Sequence, residues 1–111
     1  RLKSFNKEFN FIKNNKLIFE KVDLDKFNCI KLAYDAGKSG GTYPTVLNVS
    51  NDMAVELFLN KKIKFTDIFK IISHVLDSHK NISSPNIDDI KGTIIKTEKF
   101  INNIKKERFI C

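Results

Sequence analysis

The sequence predicts an all-α fold, a four-helix bundle-like domain preceded by an N-terminal arm that is extended or forms a short β-hairpin. Three observations favour this prediction. In four segments, apolar residues recur at steps of three and four, as they do along one face of a helix. Glycine, proline and short polar runs separate these segments, and residues 1–25 show no helical period. We therefore assign residues 1–25 to a linker or extended arm and residues 26–111 to one helical domain.

The first predicted helix extends from about Asp25 to Ala36. Gly37 is its expected end, because glycine readily adopts the left-handed conformation that follows a helix C terminus. Its apolar side is predicted to consist of Phe27, Ile30, Leu32, Ala33 and Ala36. Cys29 lies among these residues without an evident His or Lys partner, so we expect a small buried thiol rather than a nucleophile.

A tight reversal and a central helix follow. Gly40 and Gly41 permit the reversal, and Thr42 with Pro44 is expected to open a helix that extends to about Asn60. The apolar stripe of this helix is wide, so neighbours must cover its flanks as well as its face. We predict that the bundle is centred on it and that its most buried residues include Leu47, Met53, Ala54, Leu57 and Phe58.

Two further helices complete the predicted bundle. Thr66 is the expected N-cap of the third, where Asp67 suits the positive end of the helix dipole. The core face of the third helix is predicted to hold Ile68, Ile71, Ile72, Val75 and Leu76. Ser84 and Pro85 are expected to cap the fourth helix near residue 86, and Gly92 is a candidate kink. The stripe of the fourth helix is predicted to hold Ile87, Ile90, Ile94, Ile101 and Ile104.

The N-terminal arm alternates apolar and polar residues on both sides of a polar turn. Phe9 and Phe11 precede residues 13–16, and Leu17 and Phe19 follow them. This alternation favours two short strands or extended arms. Because an isolated two-stranded hairpin is marginal in water, we expect the arm to lie on the helices or on another domain.

Composition limits the classes of function. A formal net charge of +7 suggests that the chain could bind nucleic acid. Recognition of bases favours arginine, however, and only Arg1 and Arg108 of the 20 basic residues are arginine. We therefore expect no nucleic acid partner. We also expect neither a membrane span nor a secretory signal, since the chain lacks a run of about 18 apolar residues and a basic-then-apolar leader. Two cysteines are too few for a disulfide framework, so a reducing compartment is expected.

Few residues qualify for a chemical site. His74 and His79 are five positions apart, a spacing that does not place both on one helix face for a metal ion. Residues 37–41 contain the glycine, lysine and serine of a phosphate-binding loop but not their order, and no strand precedes them. We interpret this run as a connector. The sequence thus predicts no catalytic, cofactor-binding or metal-binding residue.

A polar row follows the side of the second helix opposite its apolar stripe. Asn48, Asp52 and Glu56 recur at steps of four, with Asn51 beside them. Asparagine is a poor choice inside a helix on propensity alone, which suggests fixed hydrogen bonds to a neighbouring loop or domain. Composition leaves a second interpretation equally open, a solvated face shaped by A/T-rich codons.

One further pattern joins these segments. It is carried by residues 27–37, 40–48, 51–52, 54–55, 58–59 and 63–68. Read together, they resemble the C-terminal helical domain of 1-deoxy-D-xylulose 5-phosphate reductoisomerase. Residues 17–20 and Asp23 are similar to the linker before that domain, and residues 87–90 to the start of its last helix. Asp52 stands where the family usually has glutamate.

The resemblance implies a parent enzyme that uses NADPH and Mg²⁺ or Mn²⁺ to form 2-C-methyl-D-erythritol 4-phosphate, an early step of isoprenoid synthesis. It implies a homodimer whose subunit carries a cofactor domain, a catalytic domain and then this helical domain. The family's catalytic and metal-binding residues lie in the first two domains, so this chain alone is expected to be inactive and without cofactors. Its expected partner is the catalytic domain, and Asn48, Asn51 and Asp52 are interpreted as structural polar contacts.

The expected location is the cytoplasm of a low-GC bacterium or a plastid-type organelle of a parasite. An alternative function is a free-standing basic helical module that binds an acidic partner. Its contacts would be Lys61, Lys62, Lys64, Lys105, Lys106 and Arg108.

Overall fold

The structure is a computed structural model that describes residues 5–108, with the backbone alone for residues 105–108. These residues contain four helices: α1 (Asn28–Ser39), α2 (Tyr43–Leu59), α3 (Phe65–Ser78) and α4 (Ile87–Arg108). The predicted four-helix architecture is confirmed, and the helices enclose one apolar core. None of these helices has both the length and the hydropathy that a membrane crossing requires.

Helix α2 lies at the centre of the bundle, because it packs against each of the other three helices. The buried residues of α2 are Val46, Ser50, Ala54 and Leu57. The burial prediction for α2 is confirmed for Ala54 and Leu57. It is wrong for the three other residues, which are half-buried: Leu47, Met53 and Phe58. They flank the buried row, where the neighbouring helices cover side chains incompletely.

Helix α3 carries the core face that its periodicity predicts. All five predicted residues are buried: Ile68, Ile71, Ile72, Val75 and Leu76. The predicted N-cap, Thr66, lies instead inside the first turn, because Lys64 occupies the cap position. The Lys64 backbone N–H donates to the Asp67 carboxylate at 3.0 Å, so this acidic residue fixes the start of the helix.

Helix α4 begins with a reciprocal cap between Asn86 and Asp89. The Asp89 N–H donates to the Asn86 side-chain oxygen at 2.8 Å, and the Asn86 N–H donates to the Asp89 carboxylate at 3.0 Å. This capping box, rather than Ser84 with Pro85, sets the first residue of the helix. The helix is unbroken at Gly92.

The buried face of α4 differs from the predicted isoleucine stripe. Within residues 87–104 the buried residues are Thr93, Thr97 and Ile101. Ile101 is confirmed as a buried member of the predicted stripe, whereas Ile87 is exposed. The other predicted residues are half-buried: Ile90, Ile94 and Ile104. The hydroxyls of Thr93 and Thr97 donate to the carbonyls four residues earlier at 2.7 and 2.8 Å. Because each hydroxyl is satisfied within the helix, threonine can be buried where a hydrophobic residue was expected.

Helix α1 starts and ends about three residues later than predicted. Gly37, the predicted end, lies inside the helix. The residue that follows the helix is Gly40, whose φ of +63° is left-handed and whose N–H donates to the Ala36 carbonyl at 3.0 Å. Gly41 follows with a φ of +61°. The predicted reversal at these two glycines is confirmed, and the predicted stop at Gly37 is wrong.

The core contacts of α1 are sparse. Ala36 is buried and Leu32 is half-buried. The remainder of the predicted apolar side is exposed: Phe27, Ile30 and Ala33. Cys29 is exposed as well, so the prediction of a buried thiol is wrong. It lies in the first turn of α1, where the bundle covers it only partly, and this partial burial raises the pKa of its thiol.

The N-terminal arm forms turns instead of the β-hairpin offered as one prediction, since residues 5–27 contain no strand. The Asn10 side-chain oxygen accepts the N–H groups of Ile12 and Lys13 at 2.9 and 3.0 Å. These local bonds hold the backbone in a turn and compete with strand pairing. The hairpin prediction is therefore wrong, and the described part of the arm, residues 5–25, is exposed and non-helical.

Candidate functional site

An apolar groove lies where the start of α1, the middle of α2 and the start of α3 meet. Its volume is about 610 Å³. The main apolar side chains that line it are Phe27, Ile30, Val55, Phe65, Ile68 and Phe69. We call this feature the α1–α3 groove. Phe27 and Phe65 are exposed, with 54% and 72% of their surface accessible, although aromatic side chains usually lie in a core or an interface.

The arm leads directly into the α1–α3 groove. The Asp23 carboxylate accepts the N–H groups of Asp25 and Lys26 at 3.0 and 3.1 Å, and the Phe27 N–H donates to the Asp23 carbonyl at 2.9 Å. Earlier in the arm, many large apolar side chains are exposed: Phe5, Phe9, Phe11, Ile12, Leu17, Ile18, Phe19, Val22 and Leu24. Apolar surface of this extent is typical of a region that another surface covers.

One of the predicted polar contact residues, Asn51, reaches this groove. Asn48, Asn51 and Asp52 are all exposed, and Asn51 lines the α1–α3 groove. No hydrogen bond of their side chains is found within the part of the chain that the structure describes. Their amide and carboxylate groups are thus available to a partner beyond these residues. Their role as structural contacts stays a prediction.

A second polar cluster joins the turn between α1 and α2 to the loop between α3 and α4. Its centre is Thr42, whose surface is fully buried. The Thr42 N–H donates to the Asn81 side-chain oxygen at 2.9 Å, and the Thr42 hydroxyl oxygen accepts the Ile82 N–H at 3.1 Å. The hydroxyl also lies 2.7 Å from His79 Nε2 and 3.2 Å from the Asn81 oxygen. We call these four residues the Thr42 clasp.

One protonation pattern satisfies every contact of the Thr42 clasp. If His79 donates from Nε2 to the Thr42 hydroxyl oxygen, the hydroxyl proton is free to point at the Asn81 oxygen. Burial lowers the pKa of His79, and the charge of Lys96 lowers it further. The neutral imidazole is therefore favoured in the folded chain.

The sequence does not predict the Thr42 clasp, because it indicates only that Thr42 with Pro44 opens a helix. Thr42 occupies the N-cap position of α2 but makes no side-chain bond to that helix. The neighbouring residue, Gly41, is a sequence feature that indicates a close contact at this point. A Cβ atom at Gly41 would overlap the Asn81 side chain and the Ile82 carbonyl, so the chain needs glycine there for this close approach.

The residues considered for chemistry do not converge. His74 stacks on Phe100 with ring centroids 5.7 Å apart, whereas His79 belongs to the Thr42 clasp. Across residues 5–104, no three His, Cys, Asp or Glu side chains are placed to hold one metal ion. Residues 37–39 form the last turn of α1, and Gly40 and Gly41 form the reversal, so this run connects two helices. Lys61, Lys62 and Lys64 are exposed, while the side chains of residues 105, 106 and 108 lie outside the described part.

Comparison with known proteins identifies relatives along most of the chain. The family model for the DXP reductoisomerase C-terminal domain matches residues 1–99. The 1-deoxy-D-xylulose 5-phosphate reductoisomerase of Halalkalibacterium halodurans is 40% identical over 99 residues, covering 89% of this chain and 26% of that protein. The protein of the same name from a Thermoanaerobacter species is 51% identical over 80 residues, covering 72% of this chain and 21% of that protein.

A third relative gives the same picture. The 1-deoxy-D-xylulose 5-phosphate reductoisomerase of Listeria monocytogenes is 40% identical over 100 residues, covering 90% of this chain and 26% of that protein. The chain thus spans about a quarter of the length of the curated relatives it matches.

Proposed function

The chain belongs to the DXP reductoisomerase C-terminal domain family, and we propose that it is the C-terminal structural domain of an NADPH-dependent 1-deoxy-D-xylulose 5-phosphate reductoisomerase. The observation that carries the proposal is the family match along residues 1–99. The parent enzyme would form 2-C-methyl-D-erythritol 4-phosphate in isoprenoid precursor synthesis.

In this proposal the domain packs on the catalytic domain and supports it. Residues 1–25 are the linker and residues 26–111 the helical domain. The exposed apolar side chains of the arm and of the α1–α3 groove support this role. Full burial of one such side chain stabilises a contact by about 1.5–3 kcal/mol, so a few of them suffice to dock a tethered domain. Asn48, Asn51 and Asp52 would add polar contacts at the same junction.

The cofactor and the metal ion of the parent do not fit the described part of this chain. At Gly41 there is no free space for a phosphate group, since the Asn81 side chain and the Ile82 carbonyl lie beside it. No convergent carboxylates are present in residues 5–104 to hold Mg²⁺ or Mn²⁺. We therefore assign NADPH and metal binding to other domains of the parent and no catalytic step to this chain.

The parent is further proposed to be a homodimer in the cytoplasm of a low-GC bacterium or in a plastid-type organelle. The bacterial sources of the relatives above favour the first location. Nucleic acid and membrane are not proposed as partners.

An activity assay of the full-length parent polypeptide tests the proposal. We expect oxidation of NADPH, followed at 340 nm, that requires both 1-deoxy-D-xylulose 5-phosphate and Mg²⁺ or Mn²⁺. The 111-residue chain should show no such activity, and its thermal midpoint should not change with NADPH or Mn²⁺, because only ligands that bind the native state raise the midpoint. A parent without substrate-dependent NADPH oxidation would contradict the proposed function.

A further inference from the structure

We propose that the α1–α3 groove is the surface on which the preceding, catalytic part of the parent polypeptide packs, and that the groove receives an apolar segment of that part. This inference rests on the proposed function and assigns it a place on the molecule.

The chemistry of the groove selects an apolar partner. Its lining is dominated by aromatic and aliphatic side chains, with Asp25, Lys26 and Lys70 as its charged members. Both signs are present among these three, so the positive charge of the chain is not concentrated here. An acidic partner would gain little from this surface, whereas an apolar one would cover the exposed rings of Phe27 and Phe65.

Asn51 gives the groove one polar group of mixed character. Its side chain is exposed at the groove and makes no hydrogen bond within the described residues. An amide offers both donors and an acceptor, so it can satisfy the backbone of a segment that enters an otherwise apolar site. This matches the common pattern of an apolar contact with a few polar groups that fix orientation.

The position of the arm favours the preceding part of the same polypeptide, rather than a second copy of this chain, as the partner that fills the groove. The hydrogen-bonded turn at residues 23–27 brings the arm to the edge of the groove, and the groove itself begins at Asp25. The family match is to a C-terminal domain, so in the relatives about three quarters of the polypeptide precedes the matched stretch. A domain tethered there has a high effective concentration at the groove. A second copy must instead overcome the loss of translational and rotational freedom.

Cys29 provides a direct probe of whether the groove is covered. It lines the groove and is exposed in this chain. We would measure the rate at which N-ethylmaleimide modifies Cys29 at one fixed pH, by mass spectrometry of the peptide that contains it. The comparison is between the full-length parent and the 111-residue chain, whose four helices have a core of their own. Burial of one aromatic side chain in the contact should slow the reaction in the parent by about tenfold to a hundredfold.

Phe65 and Ile87 form a matched pair of variants. Each is the first residue of a helix, and they are 72% and 69% exposed, but only Phe65 lines the groove. Aspartate is favourable in the first turn of a helix, so Phe65→Asp and Ile87→Asp should both leave the 111-residue chain folded. In the parent, Phe65→Asp should restore fast labelling of Cys29, and Ile87→Asp should not. Phe27→Asn, outside the helices, is a second groove variant should the first unfold.

Each outcome decides the proposal. Equal labelling rates in the parent and in the isolated chain would overturn it, even if the parent is an active reductoisomerase. Labelling of the isolated chain that slows with its own concentration, with a doubled mass in solution, would assign the groove to a second copy and also overturn it. Slow labelling in a parent that lacks reductoisomerase activity would retain the interface and contradict only the proposed function.

Discussion

The Thr42 clasp should stabilise the fold, and Thr42→Val tests this with little change of shape. The variant removes the hydroxyl that accepts the Ile82 N–H and contacts His79 and Asn81. A buried donor that loses its acceptor costs about 1–3 kcal/mol. Because Ile82 is exposed and His79 is half-buried, we expect a total loss of about 2–3 kcal/mol rather than the full sum.

Thr97→Val is the matched control. Thr97 is buried like Thr42, but its hydroxyl donates only to the Thr93 carbonyl within α4, so no donor elsewhere depends on it. We expect its free energy of unfolding to change by less than about 1 kcal/mol. Urea unfolding of both variants, followed by circular dichroism at 222 nm, gives the comparison. Equal losses in the two variants, or a loss below about 0.5 kcal/mol in Thr42→Val, would refute the stabilising role of the clasp.

Three further predictions concern single positions. Because the pKa of His79 is lowered in the folded chain, the unfolded chain binds the proton more tightly. The free energy of unfolding should therefore be highest above pH 6.5 and fall as the pH drops from there through the folded pKa. In urea titrations at several pH values, His79→Gln should remove this dependence of the unfolding free energy on pH. Gly41→Ala should destabilise the chain, because the new Cβ overlaps the α3–α4 loop at a left-handed φ, whereas Gly92→Ala, in open space within α4, should stabilise it by about 1 kcal/mol in thermal unfolding. Asn51→Ala should change the unfolding free energy of the isolated chain by less than about 0.5 kcal/mol, yet lower that of the parent measurably; equal behaviour in both would leave Asn51 as ordinary surface.

The sequence predicted those parts of the fold that depend on residues within a single segment. The core face of α3 follows from periodicity, and the reversal at Gly40 and Gly41 follows from the backbone freedom of glycine. The buried face of α4 could not be predicted in the same way, because a pattern of apolar residues does not include Thr93 and Thr97. These threonines can be buried because their hydroxyls are hydrogen-bonded inside the helix.

The candidate site was predictable only in part. Asn51 could be singled out as an unusual residue within a helix, but the groove beside it could not, because α1, α2 and α3 each contribute one wall. The Thr42 clasp joins residues 37 to 40 positions apart, a separation at which sequence spacing carries no information about contact. For the arm, apolar alternation predicted two short strands or extended arms. Residues 5–108 contain no strand with which the arm could pair, and local side-chain bonds set its backbone instead.

The shallow burial of α1 has a consequence for how the bundle opens. This helix buries only Ala36, and its ion pair between Lys31 and Asp35 is exposed, whereas α2 and α3 share most of the core. In hydrogen exchange, the amides of α1 should therefore behave as a separate unit of low local stability that opens before the other helices do. Because α1 also supplies one wall of the α1–α3 groove, any surface that fills the groove would slow this opening. The domain would then reach its full rigidity only when docked, with α1 as the helix whose order reports the contact.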